Sequence, residues 1–147
     1  MSKLMDCTDM EIISLFNDEL TTFVDQLMNI STQISLTPEE LVKINKSKKD
    51  LDTGMRINLK LCIELYTVFL FKPEHDQFVE SVKNRNYDYF YKLVAQEDID
   101  DEFKELLEII TTVSYNLDNE IRNDIFGYLE NITDLALVYV AKTVKKI

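Results

Sequence analysis

The stretch Met55-Arg-Ile-Asn-Leu-Lys-Leu-Cys-Ile-Glu-Leu-Tyr-Thr-Val-Phe-Leu-Phe71 decides the fold, because twelve of its seventeen residues are apolar and they fall on every side of a helix. A helix with no polar face is one that its neighbours surround. A membrane span needs roughly 18 or more apolar residues in a row, and Arg56, Lys60 and Glu64 interrupt the first two turns, so a core helix is expected instead. The expected architecture is therefore an all-α, single-domain bundle of about five to seven helices packed around a central helix at residues 55–71. Pro73 closes that helix, since proline lacks an N–H and disfavours helical geometry in the residue before it.

Composition supports the class. A chain of 147 residues fits one domain, residues 1–147, and needs neither disulfide nor metal to build a core. Two glycines and two prolines leave few turn signals, which favours long helices over many short strands. The net charge of -11 repels phosphate backbones, so no nucleic-acid partner is expected. Two small basic clusters, Lys43, Lys46, Lys48 and Lys49, and Lys142, Lys145 and Lys146, read as solvated helix surface or as favourable charge at a helix C-terminus. Cys7 and Cys62 do not form a disulfide framework and fit a reducing compartment. The first ten residues hold no apolar run of signal-peptide length, so an intracellular protein with no membrane association is expected.

Outward from the central stretch, helix signals punctuate the chain. Thr8-Asp-Met-Glu11 is a capping box, and Ile13, Phe16, Leu20, Phe23, Leu27, Ile30 and Ile34 step by three and four behind it. Thr37-Pro-Glu-Glu40 opens a second helix. Residues 45–54 carry many charges and little periodicity and are expected as an exposed, mobile connection, the alternative being helix that persists to about Leu51, with Gly54 marking entry to the core helix. Short helices are predicted over residues 74–83 and 87–95, separated by Asn84-Arg-Asn86. A longer one runs from Ile99, capped by Asp98, to about Leu117. Asp118 caps a final helix in which Gly127, costing about 1 kcal/mol relative to Ala, suggests a close approach of a neighbouring backbone.

Little in the chain suggests chemistry. Glu74-His75-Asp76 holds the only histidine, but adjacent residues do not face one another on a helix, and no second histidine or spaced cysteine pair completes a metal set. The run Glu97-Asp-Ile-Asp-Asp-Glu102 lacks the alternating ligands and central glycine of a calcium loop. Phosphate-cradling, nucleophile-elbow and zinc-protease patterns are missing. No enzyme, cofactor or metal is expected. The unusual patch is Tyr87-Asp-Tyr-Phe-Tyr91, four aromatics in five residues, which cannot all point inward from one short helix. Tyr87, Tyr89 and Tyr91 are therefore the candidates for a protein contact, tyrosine joining a large apolar ring to a polar tip.

Two segments, Ser14-Leu-Phe-Asn-Asp-Glu-Leu-Thr-Thr-Phe-Val-Asp-Gln-Leu27 and Ile125-Phe-Gly-Tyr-Leu-Glu-Asn-Ile-Thr-Asp-Leu135, resemble small helical proteins of unknown function encoded by giant nucleocytoplasmic large DNA viruses. Asn84-Arg-Asn-Tyr-Asp-Tyr-Phe-Tyr91 is similar to the aromatic, asparagine-rich turn those proteins place before their last helices, while residues 36–53 depart from the pattern. The resemblance implies a viral origin and a setting in host cytoplasm or virion, and no activity. The expected function is a non-enzymatic protein-protein interaction or structural role, as a virion component or assembly adaptor, alone, as a homo-oligomer or in a larger assembly. The alternative is an acidic antagonist or nucleic-acid mimic that occupies a basic host protein surface.

Overall fold

The computed structural model describes residues 6–34, 36–95, 104–115 and 117–145. Seven α-helices make up the described part of the chain, with no strand among the described residues: α1 Asp9–Ser31, α2 Pro38–Ile57, α3 Leu61–Leu70, α4 Phe78–Lys83, α5 Tyr87–Ala95, α6 Lys104–Tyr115 and α7 Asn119–Lys145. No described helix is long and apolar enough to cross a membrane.

Local chemistry sets where these helices begin. At α1 the Glu11 amide donates to Thr8 Oγ1 at 3.1 Å and the Thr8 amide to Glu11 Oε1 at 3.0 Å, so two amides left over at the helix start are satisfied reciprocally. Thr37 and Glu40 repeat the device at α2, and Asp118 Oδ1 accepts from the Ile121 amide at 3.1 Å at α7. Helix α1 stops at Ser31, short of Ile34. Ser31 and Thr32 turn their hydroxyls back onto the carbonyls of Met28 and Asn29, at 2.6 and 2.7 Å, adding to the 3.3 Å bonds by which the Thr32 amide is shared between the same two acceptors.

The centre of the bundle is the antiparallel pair α1 and α7. Phe23 of α1 stacks on Tyr128 of α7 at 5.9 Å, and Asn131 lies 3.4 Å from Glu19 further along the same seam. Ile12, Ile13, Phe16, Leu20, Val24 and Leu27 of α1 are buried, as are Ile125, Phe126, Leu129, Ile132 and Val138 of α7. A second part of the core is aromatic: Phe69 meets Phe78 edge-on at 5.0 Å, Phe78 meets Phe90 at 5.3 Å and Phe90 meets Phe126 at 4.8 Å. These rings join α3, α4, α5 and α7.

The expected central helix at 55–71 divides. Helix α2 runs on through Ile57, residues 58–60 leave the helix, and only residues 61–70 form α3. Asn58 causes the break. It adopts an extended conformation, φ −151° and ψ 112°, and its Oδ1 accepts from the Lys60 amide at 3.0 Å, a local bond that competes with helix continuation. The connection expected at residues 45–54 is helix, the second half of α2. Charge hides its pairing from apolar periodicity: Lys48 bonds Asp25 of α1 at 2.7 Å, and few of its apolar residues are covered. Gly54 thus lies near the end of α2, where a Cβ would stand 3.2 Å from Leu61 Cδ2, so its bareness lets α3 start close against α2.

Elsewhere the expectations fare unevenly. Residues 74–83 split into a 3-10 turn, Pro73–His75, and α4. Arg85, at φ 55°, makes the sharp turn between α4 and α5. No backbone approaches Gly127: a Cβ there would find only the Arg85 side chain, at 3.9 Å. The Asp98 cap and the acidic run 97–102 lie outside the described residues.

One buried hydrogen bond crosses the core from α3 to α7. Thr133 donates its hydroxyl to the Leu129 carbonyl at 2.7 Å, leaving the Tyr66 hydroxyl to donate to Thr133 Oγ1 at 2.7 Å. Burial pushes the Tyr66 phenol well above its ordinary value, the hydrogen bond opposing this in part. In the unfolded chain the phenol ionises near pH 10, whereas in the fold it resists. Stability from this group is thus complete below about pH 10 and falls above it, as the unfolded state releases its proton first. Tyr66→Phe should cost about 0.5–1.5 kcal/mol at neutral pH by denaturant titration and should flatten the fall of Tm with alkaline pH. An unchanged alkaline slope would place the sensitivity in other groups.

Candidate interaction surface

The three tyrosines do not form one open patch. Tyr87 lies against Phe126 at 5.0 Å, with the Arg122 guanidinium 4.9 Å above its ring. Tyr89 points the other way from α5, towards Phe78 at 6.4 Å. Its hydroxyl oxygen is buried without a hydrogen-bond partner among the described residues, and burial, then the charge of Asp76, raises its pKa. Tyr91 is half-buried on the Tyr87 side of the helix. Tyr87 and Tyr89 thus help wall the core.

His75 is also an interior residue, 4% exposed, with its ring 4.1 Å from that of Phe69. A carbonyl only accepts, so the 2.8 Å contact with the Phe69 oxygen makes Nδ1 the donor. The histidine thereby satisfies a carbonyl in the last turn of α3. Among the described residues no three histidine, cysteine, aspartate or glutamate side chains converge as metal ligands.

A groove of about 620 Å³ runs between the second half of α1 and the first half of α7, over Phe23, Leu27, Tyr128 and Gly127. Arg85 reaches its floor. The guanidinium there is already engaged, by Asn123 at 2.7 Å, by the Val82 carbonyl at 2.7 Å and by Glu130 at 3.1 Å. Its charge is balanced within the fold.

The feature that the packing does not absorb is the outer side of α3 and the corner leading into it. Ile57 is 79% exposed, Leu59 54%, Val68 60% and Phe71 61%. Helix geometry stacks positions 61, 64, 65, 68 and 71 on one face, opposite the buried Cys62, Ile63, Tyr66, Phe69 and Leu70. Glu64 is the sole charged member of that outer stripe. Exposed single apolar residues are ordinary; here two, Ile57 and Leu59, stand at the corner before α3 and two, Val68 and Phe71, at its far end.

The corner is held in place. Asn17, buried in α1 at 8% exposure, donates from Nδ2 to the Leu59 carbonyl at 2.9 Å. The Asn58 amide donates to the Gly54 carbonyl at 3.0 Å, and the Leu61 amide to the Asn58 carbonyl at 3.0 Å. Ile57 and Leu59 therefore project from a backbone fastened on both sides and to α1. A surface ordered before binding loses less conformational entropy on capture.

Sequence reasoning missed this surface because an all-round apolar segment reads as one enclosed by neighbours. A signal was present: Arg56, Lys60 and Glu64 recur every four residues, tracing the solvent side that Val68 continues. Comparison with family models, with curated proteins and with solved structures finds no match to this chain. The resemblance to viral helical proteins rests on its own residues.

Asn17→Ala should release the Leu59 carbonyl and cost about 1–2 kcal/mol in denaturant unfolding, with faster amide hydrogen exchange at Lys60 and Leu61. Unchanged exchange there would show that the corner holds without Asn17.

Proposed function

We propose that this protein is a non-enzymatic binding module that captures a protein through the bare apolar face formed by Ile57, Leu59, Val68 and Phe71. The exposure of these four side chains on a fastened corner and helix carries the reading. Hot spots of interfaces are apolar or aromatic anchors on ordered backbone, and Phe71 is the largest side chain on this face. His75 is an interior residue whose Nδ1 donates to the Phe69 carbonyl, a structural role at the end of α3. In the setting that the viral resemblance implies, such a module acts inside the cell as a virion component or an assembly adaptor.

A second reading draws on the net charge of -11: an acidic antagonist that covers a basic protein surface in place of nucleic acid. The two differ in salt response, since capture by an apolar face persists as ionic strength rises and capture by charge does not.

The test is partner capture by immobilised protein, wild type against the double variant Val68→Glu/Phe71→Glu, with thermal melts alongside. Both positions face solvent, so the variant should melt within about 0.5 kcal/mol of wild type while losing its partner. Capture retained by this variant but abolished by Tyr91→Ala at unchanged stability would move the site to the tyrosine helix. Capture lost only in high salt would favour the acidic antagonist.

A further inference from the structure

The bare face has different charges at its two ends. Arg56, Lys60 and Glu64 stand where the chain enters α3, a net charge of one positive, and Lys72, Glu74 and Asp76 stand where it leaves, a net charge of one negative. The helix dipole has the same sense, positive at the entry and negative at the exit. A surface that is net basic at one end and net acidic at the other, with Val68 and Phe71 bare between, complements itself when turned end for end.

Resting on the binding reading above, we infer that the partner of this face is a second copy of the chain, docked antiparallel across a twofold axis near Val68. The twofold axis sets the entry of each α3 beside the exit of the other, so Arg56 and Lys60 of one copy approach Glu74 and Asp76 of its partner twice over. Val68 and Phe71 of the two copies cover one another.

The apolar face is one short helix and a corner with four bare side chains, where a standard stable interface takes about 20–30 residues a side, so the dimer is weak and reversible. Its salt dependence is distinctive. Each copy brings eleven net negative charges against the other, and screening relieves that repulsion more than it weakens the few end pairs. Added salt therefore tightens the dimer, the reverse of capture by a basic partner.

Sedimentation equilibrium of the full chain over a concentration series tests this. The expected mass rises with concentration from the 17.3 kDa monomer towards twice that value, further at high salt than at low. Val68→Glu/Phe71→Glu should weaken association by about 100-fold at unchanged melting temperature. Arg56→Glu/Lys60→Glu and Glu74→Lys/Asp76→Lys should each stay monomeric alone and form a heterodimer when mixed, because the exchanged ends again meet opposite charge. A monomer at every concentration up to about 1 mM, a dimer indifferent to Val68→Glu/Phe71→Glu, or a wild-type dimer whose charge-exchanged variants fail to pair would overturn the inference. In the first case the capture experiment decides separately whether the face binds a different protein.

Discussion

Burial of α1 and α7 against each other decides where every other helix can go. These are the two longest elements, of 23 and 27 residues, and their seam runs antiparallel from Glu19 and Asn131 past Phe23 and Tyr128. With the centre of the bundle taken by this pair, the most apolar segment of the chain can reach them with one side only. Cys62, Ile63, Tyr66, Phe69 and Leu70 spend that side, and Val68 and Phe71 are left facing out. The bare face is thus a result of packing order, the long helices having already covered one another.

Polar bonds then fix the short helix in place along its whole length. Asn17 holds the corner before it through the Leu59 carbonyl, Tyr66 ties its middle to Thr133 of α7, and His75 takes up the Phe69 carbonyl at its end. Buried hydrogen bonds contribute modestly each, about 1 kcal/mol, but cost more to break than they supply. Their placement matters more than their sum: all three sit on the inner side of α3 or at its ends, leaving the outer side unconstrained for contact. The interior histidine and the buried threonine hydroxyl, residue types associated with catalysis, are accounted for by this fastening.

Much of the fold was legible in the sequence where chemistry is local. The capping boxes at Thr8 and Thr37, the Asp118 cap, the stop at Pro73 and the span of α5 all depend on residues a few positions apart, and each lies where the pattern placed it. Failures came where distant partners decide. Residues 45–54 are helical and pair with α1 through contacts such as Lys48 with Asp25, which no periodicity records. The break at Asn58 depends on a side chain turned to its own backbone and on the bond from Asn17 to the Leu59 carbonyl, 42 positions away in the chain. The surface of α3 was illegible for the same reason, since hydropathy states how much a segment would bury and is silent on how much its neighbours leave room to bury. The packing divides the tyrosine run: Phe78 meets Tyr89 on one side of α5, Phe126 and Arg122 meet Tyr87 on the other, and all three tyrosines keep part of their surface exposed.

The central claim, that α3 is covered on one side and bare on the other, is most directly tested by hydroxyl-radical footprinting of the dilute protein, read residue by residue. Phe69 and Phe71 are two positions apart and chemically identical, yet one is 0% and the other 61% exposed. The account predicts rapid oxidation of Phe71, with Val68 and Leu59 following it, and protection of Phe69 and Phe78 until the protein unfolds. Equal protection of Phe69 and Phe71 in the monomer would contradict it.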